Sequence, residues 1–188
     1  DASLRLLVKG CWQVDWVSHV QARDFSNVVV SSTSFRCSLD QRSTPATGWG
    51  SKVELRTPVP APFSLRLGLG TRHSAARVVE DSYAANDPAN PLTAVRVITA
   101  GQSLSHAMVE GGWNAGALSL TLGARYDQWH LDAATMTRRN AVGAVVEDVR
   151  HAARNDGLWN ARAGAVWRLS PSLSLRGAAY RTHRVPTL

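Results

Sequence analysis

No uninterrupted apolar stretch in these 188 residues approaches the roughly 20 that a membrane-spanning helix needs, although 44% of the residues are hydrophobic. That absence excludes a helical membrane protein and leaves a transmembrane barrel open, because a barrel strand needs only about 10 residues of alternating character. Cysteine is nearly missing. Cys11 and Cys37 match no metal-ligand spacing and are too few for a disulfide framework, so they read as incidental small residues, with pairing in an oxidising compartment as the alternative. The net charge is +7, yet there is no basic stripe: Arg5, Arg66, Arg96, Arg125, Arg162 and Arg176 are scattered singly, and no nucleic-acid motif accompanies them. Nucleic acid is therefore not an expected partner. The start, Asp1-Ala2-Ser3, has neither the basic lead nor the apolar core of an export signal, which an exported protein would carry upstream.

Catalytic constellations are also missing. Ser103 and Ser105 lie near His106 but without a G-x-S-x-G elbow around them. His19, His73, His106, His130, His151 and His183 show neither H-x-x-x-H nor H-E-x-x-H spacing, so no metal site is expected. Glu147 and Asp148 are adjacent, and neighbours on a strand face opposite sides, which rules them out as paired carboxylates. The chain is not expected to be an enzyme, and no cofactor is expected.

What is present is alternation of period two, the mark of a strand with two unlike faces. Leu118, Leu120, Leu122, Ala124 and Tyr126 oppose Ser119, Thr121, Gly123, Arg125 and Asp127. The same split separates Leu65, Leu67 and Leu69 from Arg66, Gly68 and Gly70, and Trp49, Ser51, Val53 and Leu55 from Gly50, Lys52, Glu54 and Arg56. Further strands of this kind follow over 162–169 and 173–178. Short connections rich in Gly, Pro and Ser at 57–62, 112–116 and 170–172 alternate with long polar stretches at 26–47, 75–96 and 132–156. Structureless loops that long are uncommon in compact soluble domains, whereas short turns on one rim and long loops on the other are the rule in outer-membrane barrels.

This parity predicts an all-β antiparallel meander of about eight strands: 4–9, 12–25, 47–57, 63–74, 97–111, 117–130, 157–169 and 173–182. Trp12, Trp113, Trp129 and Trp159 fall near strand ends, where indoles anchor at membrane interfaces; filling a core is the competing role. The apolar spacing of Val142, Val145, Val146, Val149, Ala152 and Ala153 suits a helix better than a strand, and the segment is assigned to an external loop that forms either a short helix or an extended hairpin.

With the strands laid out, the sequence resembles the barrel domain of TonB-dependent receptors. Arg184, Val185, Pro186, Thr187 and Leu188 read like that family's F-R-x-P-T-L segment, with His183 standing where the family usually has an aromatic residue. The run Leu122 to Asp127 looks like the family's L-G-x-R-Y-D strand end. Leu65 to Arg72, and Trp159 to Val166 with Leu169-Ser170-Pro171, resemble further wall strands. The resemblance implies a sector of a barrel wall over 1–188, with the plug domain, the TonB box and the remaining strands of a 22-stranded barrel lying outside it.

It further implies a Gram-negative outer-membrane location, lipid around the wall, and a parent that imports a scarce ligand such as an iron-siderophore complex. TonB would be engaged only through the plug. Arg72, Arg125 and Asp127 fall near outer strand ends, where an anionic ligand could meet them. Two other readings are a complete eight-stranded outer-membrane barrel, which requires its first and last strands to pair, and a soluble β-sandwich binding module, whose leucine faces must pack against a second sheet. An isolated sector would be a curved open sheet with two unpaired edges, prone to aggregate in water.

Overall fold

Each alternating segment forms a strand in the computed structural model, which describes residues 2–8, 12–58 and 62–183. The strands are β1 (Ala2–Val8), β2 (Trp12–Arg23), β3 (Asn27–Val30), β4 (Cys37–Ser43), β5 (Ala46–Arg56), β6 (Phe63–Tyr83), β7 (Leu92–Ala115), β8 (Leu118–Leu131), β9 (Ala134–Asn140), β10 (Val145–His151), β11 (Arg154–Ser170) and β12 (Leu173–Arg181). All belong to one antiparallel sheet whose spine runs β1-β2-β5-β6-β7-β8-β11-β12. These spine strands are the eight that the alternation predicts. Residues 9–11, 59–61 and 184–188 lie outside the described residues, and with them the turn near Gly10, Cys11, and the Arg184, Pro186, Thr187 and Leu188 segment.

Directly paired residues of antiparallel strands project from the same face, so the register sorts the side chains. Trp16, Val53, Leu69, Ala107, Tyr126 and Trp159 form one row, and Val14, Leu55, Leu67, Val109, Ala124 and Ala161 form the next toward the short turns. This apolar face is open: Leu69 and Leu122 are each 65% exposed and Trp159 is 64% exposed. The opposite face carries the charges, and there Glu54 is only 3% exposed and Asp127 only 4%. Among the described residues the buried hydrophobic side chains are only Ala85, Ala94 and Leu104. Burial is thus inverted relative to a water-soluble domain, which hides apolar side chains and leaves carboxylates wet.

Both alternative architectures fail on this topology. Among the described residues no second sheet covers the leucines, which removes the sandwich. β1 and β12 stand at the two ends of the spine without pairing with each other, which removes the closed small barrel.

Aromatic pairs bound the apolar face. Phe63 stacks on Trp113 at the short-turn rim, with ring centroids 6.3 Å apart, Trp49 meets His73 at 6.4 Å at the other rim, and Tyr126 meets Trp159 at 4.9 Å in the Leu69 row. Along β6 the path from Phe63 to His73 is about 33 Å, which at the tilt of barrel strands gives a band about 25 Å tall, the apolar height of an outer-membrane wall. Trp12, Trp113 and Trp159 share the outward face as expected for a girdle. Trp129 does not: it pairs with Leu104 and Asp156 on the charged face.

The long connections are folded rather than loose. β6 and β7 continue past the apolar band, and at 24 residues β7 is about 80 Å long, more than twice what a crossing needs. Above the band β4 pairs with β6, β3 with β4, β9 with β7 and β10 with β9, so the three long connections contribute strands to one wall extension. The stretches 26–47 and 75–96 therefore form paired strands where loops were expected, and 132–156 forms the extended hairpin that was one of its two expected forms. Their polarity reflects water on both faces.

The helical alternative for the last stretch is likewise overturned. Val145, Val146 and Val149 sit on β10, with Val142 in the turn before it, and a bulge between Val145 and Glu147 inserts a residue and breaks the period-two pattern. Gly143, at φ 85°, turns the chain back after Asn140. The hairpin satisfies the free edge of β7 from Ala94 to Thr99, which a helix would leave unpaired.

Gly116, at φ 57° in the short turn between β7 and β8, has nothing within 4 Å of where a side chain would begin, so only its backbone conformation matters. Gly116→Val is expected to cost about 1–2 kcal/mol, the penalty of the left-handed region, readable as an earlier midpoint in denaturant unfolding.

Candidate functional site

The charged face is ordered by the same register. Nearest the short turns lie Gln13, Arg56, Arg66, Glu110, Gly123 and Arg162, and one step farther Asp15, Glu54, Gly68, Met108, Arg125 and Asn160. Above them come Val17, Lys52, Gly70, His106, Asp127 and Leu158, then His19, Gly50, Arg72, Leu104, Trp129 and Asp156.

The lower rows are a mesh of ion pairs. Glu54 receives Arg66 Nη2 at 2.7 Å and Nε at 3.2 Å, Arg56 Nη2 at 2.5 Å, and Lys52. Arg56 also lies 3.7 Å from Asp15, which accepts Gln13 Nε2 at 2.8 Å. Arg162 pairs with Glu110. A carboxylate this buried is tolerable only when every lone pair is used, and three cations on two neighbouring strands supply that. The alternation exposes these residues in the sequence as a polar face; their convergence on Glu54 requires the strand pairing.

Of the predicted ligand residues, the structure brings Arg125 and Asp127 together and leaves Arg72 apart. Arg125 Nε lies 2.9 Å from each oxygen of Asp127, its Nη2 lies 2.6 Å from Oδ1, and Asn160 Nδ2 donates to Oδ2 at 3.0 Å. The pair is self-neutralising. Arg72 is exposed on the charged face, and no carboxylate pairs with it among the described residues. His106 lies over Gly70, whose missing side chain makes room for the ring: an added Cβ would stand 2.4 Å from His106 Cε1. Trp129, assigned to a girdle by its place near a strand end, belongs to this face instead, and its buried Nε1 has no acceptor. Counting parity from Leu118 would have placed it correctly.

Among the described residues no cluster of three or more His, Cys, Asp or Glu side chains could hold a metal ion. Cys37 carries a free, half-buried thiol on β4.

A single sheet with an apolar outer face bounded by aromatic pairs, an ion-paired inner face, and short turns opposite tall hairpins is a sector of an outer-membrane barrel wall. The sequence matches the family model "TonB dependent receptor-like, beta-barrel" over residues 11–188. The chain belongs to that family, whose members are transporters of the Gram-negative outer membrane that bind small-molecule ligands and interact with TonB.

Among solved structures, the ferric yersiniabactin uptake receptor FyuA from Yersinia pestis superposes with a TM-score of 0.74 at 12% identity, covering 93% of this chain and 26% of that one. The ferric citrate transporter FecA in its unliganded form gives a TM-score of 0.52 at 14% identity, covering 93% of this chain and 25% of that one. The chain thus spans about a quarter of either, and at these identities the likeness is one of fold. No curated protein matches the sequence.

Proposed function

We propose that these residues form a sector of eight strands in the wall of a receptor that imports ferric chelates across a Gram-negative outer membrane. The observation that carries the reading is the inverted burial of one sheet, with Leu69 and Leu122 exposed on one side and Glu54 and Asp127 buried on the other. A wall of that kind needs hydrocarbon outside and a polar interior inside. Both structural neighbours are named for ferric ligands, which supports the same cargo class here. Lipid is then the partner of the outer face, the ligand that of the inner face, and TonB is reached through a plug domain that these 188 residues do not form.

The test uses the whole receptor that carries this wall, expressed in an iron-starved strain stripped of its own ferric uptake. Radioactive iron should enter with a supplied chelate only while TonB is present. Equal uptake with and without TonB, or a receptor recovered from the soluble fraction, would overturn the reading.

A further inference from the structure

We propose that the wall extension above the membrane continues past β3: in the whole receptor, the free edge from Asn27 to Val30 is covered by the stretch of chain that leads down into β1. The proposal requires the barrel wall and not the ferric cargo. It starts from columns that are longer than the individual strands. β4 and β5 both pair with β6, so they form one column from Cys37 to Arg56, broken at Thr44 and Pro45. β2 pairs with β5 and β3 with β4, so these two form the next column, from Trp12 to Val30. Asp24 ties the bend of this column to the break in its neighbour, accepting the Ser43 hydroxyl at 3.0 Å and the Thr44 backbone N–H at 2.7 Å.

β1 covers the far side of the β2–β3 column only from Trp12 to Ser18. Among the described residues nothing pairs with that side from His19 to Val30, about 40 Å of strand edge. Closing the barrel covers the lower part of this edge; β3 stands above the band, where closure demands nothing. Yet β3 is not built as an edge left to water, which natural sheets guard with charge or proline. Val28, Val29 and Val30 are consecutive, uncharged and 43–55% exposed, with neighbours on opposite faces, and Phe25 and Phe35 beside them are exposed too. β10, at the other end of the extension, interrupts its valines with Glu147, Asp148 and Arg150. The β3 edge thus offers unpaired backbone groups between apolar side chains, a template for one more strand.

Continuity chooses the occupant. β1 already lies along this edge in antiparallel register, with Ala2 opposite Ser18, and residues entering β1 from above run past His19 and then β3. Carried on, that register sets the residue about 11 places before Ala2 opposite Val29.

The test follows amide exchange, resolved to single residues, in the purified whole receptor in lipid vesicles. A strand with one neighbour hydrogen-bonds every second amide and leaves the others to water, whereas a strand with two neighbours protects them all. Every amide from Asn27 to Val30 should therefore exchange as slowly as those of Leu39, Asp40 and Gln41 on β4, which has a partner on each side. Slow amides alternating with ones about 100-fold or more faster would show an open edge and overturn the proposal. The occupant is read separately: with Cys11 and Cys37 replaced by serine, Val29→Cys is combined with single cysteines scanned around the facing position before Ala2. Oxidation should link the two within one receptor molecule. A link formed only between molecules would assign the edge to a second copy, and slow amides with no link at any position would assign it to a different strand; either result overturns the proposal. Failure of iron uptake bears on neither measurement, since neither uses the cargo.

Discussion

Leu69→Arg is expected to destabilise the receptor in a bilayer by about 2–4 kcal/mol, the cost of an arginine on the lipid face near the midplane of a barrel. Leu69 lies on β6 between the aromatic pairs at Phe63 and His73, so its side chain enters the middle of the apolar band. The matched control is Ser74→Arg, five residues along the same strand on the inner face, opposite Gly48 and Gln102. It should change stability by less than about 0.5 kcal/mol, as exposed polar positions usually do. The contrast decides between environments. In water Leu69 is already 65% exposed, and an arginine there would be as harmless as at Ser74. Equilibrium unfolding by urea in lipid vesicles measures both variants, and equal midpoints would remove hydrocarbon from the account of this face.

Glu54→Ala carries the second large effect. The carboxylate is buried beneath Lys52, Arg56 and Arg66, so its removal leaves three cations crowded on two strands with Asp15 as the remaining acid beside Arg56. Breaking a fully buried pair costs about 3–5 kcal/mol. The three cations here keep 33–46% of their side-chain surface exposed, and water screens part of their repulsion, which reduces the expected loss to about 2–3 kcal/mol. Glu54→Gln should lose less, because an amide oxygen still accepts from a guanidinium. High salt should recover part of the Glu54→Ala loss by screening the cations, a signature that a cavity defect would not show. A loss below about 1 kcal/mol in Glu54→Ala would mean that the mesh adds little to the wall.

The wall was legible because a membrane strand writes its environment into every second residue. Leu65 to Gly70 and Leu118 to Asp127 declare both faces locally, and no distant information is needed to read them. The strand count followed from the alternation of short and long connections. Above the band that code disappears, since water wets both faces of the sheet. In Val78-Val79-Glu80-Asp81 the apolar and acidic residues come in pairs, so the continuation of β6 looked like loop. At Val145 and Val146 a bulge put the pattern out of phase.

The site was legible only in part for a different reason. Asp127 and Arg125 are two residues apart and share a face, so their pairing could have been anticipated. That Glu54 gathers Arg66, twelve residues away, depends on the β5–β6 register. Arg72 differs from these cations only in what surrounds it, which the sequence does not state.

The hairpin of β6 and β7 has an uninterrupted ladder from the short-turn rim to Ser82, flanked above the membrane by β4 and β9. A loop joined to its barrel by flexible hinges can swing shut over a bound molecule; this one would have to break several inter-strand hydrogen bonds at once to do so. Its amides from Val78 to Ser82 should exchange with deuterium nearly as slowly as those inside the bilayer. A sheet extension laddered in this way is expected to keep its shape, so this sector would meet an incoming molecule as a fixed surface.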